Sequence, residues 1–133
     1  MIKKWNVLAR QPAQDFGLFK VWKKQACSPR TGLVNEVLSL EFPAWVLVVP
    51  VTPKKEIVMV RQYRHGNEEI CLELPGGLVD AEDSSPETTG QRELLEETGF
   101  KAGRMVKLGE CFPQPAILSN QCFFYLATEV EKV

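Results

Sequence analysis

Glu93, Glu96 and Glu97 stand three and four residues apart in the segment Arg92-Glu93-Leu94-Leu95-Glu96-Glu97-Thr98-Gly99. On a helix that spacing brings all three carboxylates to one side, about 5–6 Å apart at the Cβ level. Like charges so placed cost about 0.2–0.5 kcal/mol per exposed pair and more where half-buried. A hard divalent cation offsets the repulsion, since Mg²⁺ takes oxygen ligands and is commonly shared between protein carboxylates and substrate phosphates. From Asp80 to Thr98 the chain carries Asp80, Glu82, Asp83, Glu87, Glu93, Glu96 and Glu97 against Arg92 alone, a local charge of −6 in a chain whose total is −1. The plain alternative is a solvated acidic face. Leu94-Leu95 beside Glu96-Glu97 and the Gly76-Gly77 turn upstream weigh against it.

Those acids need a helix to hold them. Ser85 is a suitable N-cap, Pro86 suits the first helical position and Gly99 suits a left-handed C′ residue, which predicts a helix over 86–98. Gly90 inside it costs about 1 kcal/mol relative to Ala. Before the helix, Ala44 to Val51 is apolar on both faces, as a central strand is. Ile57 to Tyr63 is expected to return as its hairpin partner after the Thr52-Pro53-Lys54-Lys55 turn. Ile70, Leu72 and Leu74 alternate with Cys71 and Glu73 as a half-buried strand ending at Pro75-Gly76-Gly77. Further strands are expected around Trp5 to Arg10, Phe16 to Lys24, Val34 to Glu41, Met105 to Phe112 and Cys122 to Thr128, with breaks at Gln11-Pro12 and Ser28 to Gly32. Mostly strands around one strong helix predicts an α+β layered domain with a mixed sheet.

Composition narrows the classes. The 133 residues, 44% hydrophobic and 25% charged, fit one globular domain over 1–133. With 16 Lys+Arg against 17 Asp+Glu, no overall charge draws the chain to nucleic acid or an anionic membrane. The opening residues carry no apolar leader and no run approaches the length of a membrane span, so the reading is cytoplasmic. Cys27, Cys71, Cys111 and Cys122 lack any close pairing motif and His65 is the single histidine, which leaves little for a zinc cluster. Reduced, buried thiols are expected.

Gly77 followed by Arg92-Glu93-Leu94-Leu95-Glu96-Glu97-Thr98-Gly99-Phe100 resembles the box of the Nudix hydrolases, whose second half is matched at every fixed position. Val60-Arg61-Gln62-Tyr63-Arg64-His65, Leu72 to Asp80 and Pro113-Gln114-Pro115 are similar to the ADP-ribose pyrophosphatase branch of that family. The first half departs by one residue: five positions on from Gly77 stands Asp83, whereas seven back from Arg92 stands Ser84. The resemblance implies a Nudix α/β/α sandwich with a mixed β-sheet over 42–133, without the family's C-terminal helix. Residues 1–41 would be an N-terminal strand extension that pairs across a homodimer.

By the same resemblance, Mg²⁺ or Mn²⁺ is the cofactor, with Glu93 and Glu97 as ligands. Glu96 is a further ligand or an orienter of water, and the Gly76 carbonyl a backbone ligand. Arg92 would pin Asp83 or Glu82. Arg64, with Gln62 on the same strand, would grip substrate phosphates. Glu73 either meets a sugar hydroxyl or is an ordinary outward residue. Trp45 and Phe112 are base-stacking candidates, although a tryptophan in an apolar strand is more often core. The implied reaction is hydrolysis of ADP-ribose to AMP and ribose 5-phosphate, with GDP-mannose or another nucleoside diphosphate sugar as the nearest variant. A non-catalytic ligand-binding module is the rival, and the general base, Glu96 or a terminal glutamate, is left open.

Overall fold

The computed structural model describes residues 1–133, which divide into two compact units. One unit comprises 1–43 with 112–120, and the other 44–111 with 121–133. Against the expected division at 41/42, the chain changes unit at 43/44, and the segment from Phe112 to Asn120 belongs with the first unit.

In the first unit, β1 (Asn6–Asp15), β2 (Lys20–Cys27) and β3 (Val34–Glu41) form an antiparallel sheet in the order β1-β2-β3. The expected break at Gln11-Pro12 does not occur. Pro12 lies in β1, an edge strand with register slips at Val7/Ala9 and Pro12/Gln14, where a missing N–H is tolerated. The strand expected from Phe16 begins instead at Lys20, because Phe16 to Phe19 form the turn, with Gly17 at φ 78°. Phe16, Phe19 and Phe42 stack in series at ring separations of 4.9 and 4.8 Å. Three basic residues are paired within the sheet: Arg10 with Glu41 at 2.9 Å, Lys23 with Glu36 at 3.2 Å and Lys20 with Asp15 at 3.6 Å.

The second unit carries β4 (Trp45–Pro50), β5 (Val60–Arg64), β6 (Glu69–Glu73), β7 (Gly76–Leu78), α1 (Pro86–Thr98), β8 (Phe100–Lys101), β9 (Arg104–Cys111), β10 (Cys122–Thr128) and β11 (Glu131–Lys132). Its main sheet has the order β7-β4-β10-β9 and is mixed, since β4 runs parallel to β10 while the other pairings are antiparallel. The segment 57–63 is not the hairpin partner of β4. Both edges of β4 are taken by β7 and β10, so only the bridge Val51–Ile57 forms, and β5 pairs with β6 instead. Nor are Ile70 and Leu72 half-buried: they are exposed, because the register with β5 turns Gln62 and Cys71 to the other face. Of the four free thiols, only Cys122 is buried.

The Ser85 hydroxyl accepts from the Thr88 N–H at 3.2 Å, and Gly99, at φ 71°, donates to the Leu95 carbonyl at 2.8 Å, so α1 begins and ends on its caps. Leu94 packs with Val46, Val48, Tyr125, Ala127 and Val130 to make the core. Gly90 lies where α1 comes nearest the sheet: a Cβ there would meet Met105 Cε and Val48 Cγ2 at 3.1 Å and Val46 Cγ1 at 3.2 Å. Its poor helix propensity is offset by that close packing. No helix is long and apolar enough to cross a membrane.

Candidate active site

Arg92 is the hub of the acidic segment. Its Nη2 lies 3.0 Å from Asp83 Oδ2 and 3.1 Å from Asp80 Oδ2; its Nη1 lies 2.8 Å from Glu93 Oε1 and 3.1 Å from Glu96 Oε2. Of the two loop acids left open by the sequence, Asp83 takes the bond, and Glu82 stays exposed. Asp83 also accepts from the buried Thr89 hydroxyl at 2.8 Å. Arg92 first, and Thr89 second, hold its carboxyl below the usual carboxylate range. The acids in turn keep Arg92 firmly protonated, Asp83 contributing most. Thr89 and Asp80 were not foreseen. The sequence signal for Thr89 was its place one turn beyond the N-cap on the helix face that meets the sheet.

Glu93 and Glu97 face the Gly76-Gly77 strand. A Cβ on Gly77 would collide with the Glu93 carboxylate, and one on Gly76 would collide with the Val46 carbonyl oxygen. Glycine at both positions is therefore what lets β7 pair with β4 and leaves room for a carboxylate above it. Glu97 accepts from the Gly76 N–H at 2.9 Å and from the Gln62 side-chain amide. Burial raises the Glu93 carboxyl above its ordinary range; Arg92 opposes this, while the Glu97 and Glu96 charges add to it. Glu93 thus feels the charges of the other two glutamates, as the spacing predicts.

Arg64, expected to grip substrate phosphates, and Glu73, left open between a sugar contact and an ordinary outward residue, hold each other. Arg64 Nε donates to Glu73 Oε1 at 2.9 Å and Nη2 donates to Oε2, a two-pronged pair. Each is the leading cause of the other's shift, Arg64 upward and Glu73 downward. Trp45 is not a core residue. It opens β4 opposite Leu78 and is 36% exposed. Phe112 is exposed too, in the other unit.

As they stand, no three acidic, histidine or cysteine side chains converge to enclose a cation. Glu93 and Glu96 face Arg92, and Glu97 faces Gln62 and Gly76. The donor set still fits a hard divalent ion: it is all oxygen, the Glu96 and Glu97 charges bear on Glu93, and Glu93 and Glu97 lie over a strand whose glycines leave room for their carboxylates. Glu93, Glu96 and Glu97 are the residues that would hold it.

The NUDIX domain model matches residues 41–132, and the chain belongs to the Nudix family. It is 33% identical over 129 residues to an ADP-ribose pyrophosphatase of Mycobacterium tuberculosis, covering 97% of this chain and 62% of that one. A Bacillus subtilis ADP-ribose pyrophosphatase is 33% identical over 91 residues, 68% of this chain and 49% of its own. A GDP-mannose pyrophosphatase of Escherichia coli is 34% identical over 82 residues, 57% and 42%. The chain thus spans about half the length of the curated relatives it matches. A crystal structure of an ADP compounds hydrolase superposes with a TM-score of 0.84 at 23% identity, over 99% of this chain and 71% of that one, and shows the shared fold. Nudix hydrolases generally use divalent metal ions, which suits the oxygen donor set described above.

Proposed function

We propose that this chain is a Mg²⁺-dependent pyrophosphohydrolase of nucleoside diphosphate sugars, with ADP-ribose first and GDP-mannose as the nearest variant. Mn²⁺ is a serviceable substitute. The observation that carries the reading is Glu93 and Glu97 of one helix facing the Gly76-Gly77 strand, with Glu96 one turn along beside Glu93, in a family whose relatives bear pyrophosphatase names. A divalent ion at that trio supplies charge neutralisation for the diphosphate and a lowered pKa for bound water.

The protein's own groups do the rest. Arg92 fixes Glu93 and Glu96 in place while Asp83 and Asp80 hold its other amino group. Glu97, held by Gln62 and the Gly76 N–H, keeps its carboxylate directed at β7. Glu96, the most exposed of the three at 58%, is the group that takes the proton of an attacking water in this reading. Attack on one phosphorus breaks its bond to the bridging oxygen, releasing AMP and ribose 5-phosphate from ADP-ribose. Arg64 is the phosphate-gripping group, and substrate competes with Glu73 for its fork. Trp45 stacks on the base. The first unit's sheet, exposed along the whole of β1, pairs with its counterpart in a cytoplasmic homodimer.

A second reading, ligand binding without turnover, draws on one feature: every carboxylate of the trio already has a protein donor. Incubation with Mg²⁺ and a panel of dinucleotides and nucleoside diphosphate sugars separates the two. We expect AMP from ADP-ribose, and loss of at least about 10²-fold in kcat for Glu97→Gln with the fold retained. Tight ADP-ribose binding with no product from the unaltered chain would establish the second reading instead.

A further inference from the structure

Cys111 and Cys122 are partners in register where β9 and β10 run antiparallel. Directly opposed residues in such a pair lie about 4.5–5.5 Å apart at Cα with both side chains on one face. A disulfide accepts Cα separations of about 4.4–6.8 Å, so a directly opposed pair stands within reach of a bridge after side-chain rotation and a small local adjustment. The other two cysteines lack this relation: Cys27 stands opposite Asn6 and Val34, and Cys71 opposite Gln62. Within the matched pair the two thiols differ in access. Cys111 is exposed, while Cys122 is 1% exposed. Burial first, and the neighbouring Cys111 second, push the Cys122 thiol up to about 11. The exposed sulfur is thus the entry point for a reagent, and the buried one is its neighbour in waiting.

We infer that Cys111 and Cys122 form a site for a reversible intrachain disulfide, closed by exchange with a low-molecular-weight disulfide such as oxidised glutathione. The Cys111 thiolate attacks one glutathione sulfur, the glutathione S–S bond breaks, and one glutathione thiol leaves. Cys122 then loses its proton and attacks the Cys111 sulfur, releasing the second glutathione thiol. Two protein thiols are oxidised by two electrons and one glutathione disulfide is reduced to two thiols. The bridge closes the excursion of residues 112–121 and fixes the end of β10 that lies in register with Trp45.

The test uses the full chain, treated with oxidised glutathione and digested with trypsin. Cys111 and Cys122 fall in one peptide, Leu108 to Lys132. That peptide is expected to become two hydrogens lighter, to resist alkylation until reduced, and to keep this behaviour in a Cys27→Ser/Cys71→Ser variant. The oxidised chain should melt roughly 5 °C or more higher, and the shift should disappear with dithiothreitol. In Cys122→Ala, which keeps the buried site apolar, the product should stop at a glutathione adduct on Cys111. A lasting glutathione adduct on the unaltered chain, a bridge between two chains through Cys111, or no reaction at all would each overturn the inference.

Discussion

The two units balance their charges in opposite ways. In the β1-β2-β3 sheet, each of Arg10, Lys20 and Lys23 meets one carboxylate, and all six side chains are well exposed. In the second unit Arg92 faces four carboxylates, and the Asp83 and Glu93 side chains are only 11% and 15% exposed. Exposed one-to-one pairs contribute about 0–1 kcal/mol each, so removing one disturbs little. Half-buried acids that outnumber their cation are a different case: the arrangement holds negative charge in excess where water cannot fully screen it. A protein keeps such an imbalance where the charge is used, and here it borders the glycine strand that receives the carboxylates.

Removing the hub is the severest way to break this contrast. Arg92→Ala leaves Asp83 and Glu93 without their cation and Thr89 bonded to an unpaired carboxylate. Urea unfolding should register a clear loss, larger than removal of any one pair in the first unit's sheet gives, since several partly shielded carboxylates lose their shared cation. Arg92→Lys should recover only part of it, because a point charge cannot serve four carboxylates as a planar fork does. A loss below about 0.5 kcal/mol in the alanine variant would mean that the hub is as dispensable as a surface pair.

How far the two units could be read from sequence differs for the same physical reason. The helix from Pro86 to Thr98 was legible to the residue because its signals are local: a capping serine, a proline at the first position and a left-handed glycine. The glutamate trio was legible through helical spacing. The partner of β4 was not, because which strand occupies an edge is decided by distant residues, and β10 and β7 took both edges. Gly76-Gly77 looked like a turn and proved to be a strand, since its glycines answer to the Val46 carbonyl and the Glu93 carboxylate rather than to a turn. Alternation suggested which face of Ile70 and Leu72 is apolar, but not that this face would look outward. The pairing of Arg64 with Glu73 was equally invisible, because it depends on how two strands fold onto each other.

A subtler change sharpens the comparison by converting charge to neutrality within the trio. Folding raises the Glu93 pKa above the usual value near 4.5, so the charged form is disfavoured in the fold. For a carboxylate raised in this way, the favourable contribution is complete below the unfolded pKa and is lost as pH rises through the folded one. Glu93→Gln should therefore match or modestly exceed the unaltered chain in melting temperature at pH 7 and lose that relative gain near pH 4, while turnover falls. The balance is modest because the glutamine gives up the charge-assisted bond from Arg92. Asp83 moves in the other sense: its lowered pKa stabilises the fold above the unfolded value and that stability is lost as pH falls through the folded one. Melting curves of Glu93→Gln and Asp83→Asn from pH 3 to 8 check the two signs. A Glu93→Gln chain that gains stability relative to the unaltered one only on acidification would contradict the assignment.

The smallest effect belongs to the first unit, and its smallness is the point. Lys23 and Glu36 sit 3.2 Å apart with side chains 42% and 51% exposed, on adjacent strands in a sheet with water at hand. The ion pair gains little over hydration, and holding two long side chains in one geometry costs rotamer freedom. A double-mutant cycle with Lys23→Ala and Glu36→Ala should therefore return a coupling below about 0.5 kcal/mol, falling further at about 1 M salt, where the screening length contracts to about 3 Å. The corresponding cycle between Arg92 and Asp83 should return at least twice that coupling and lose less of it to salt, because the pair is largely withdrawn from solvent. If both cycles gave the same coupling and the same salt response, excess charge on the helix would be no more costly than paired charge on the sheet. The energetic ground for locating the chemistry in the second unit would then be gone.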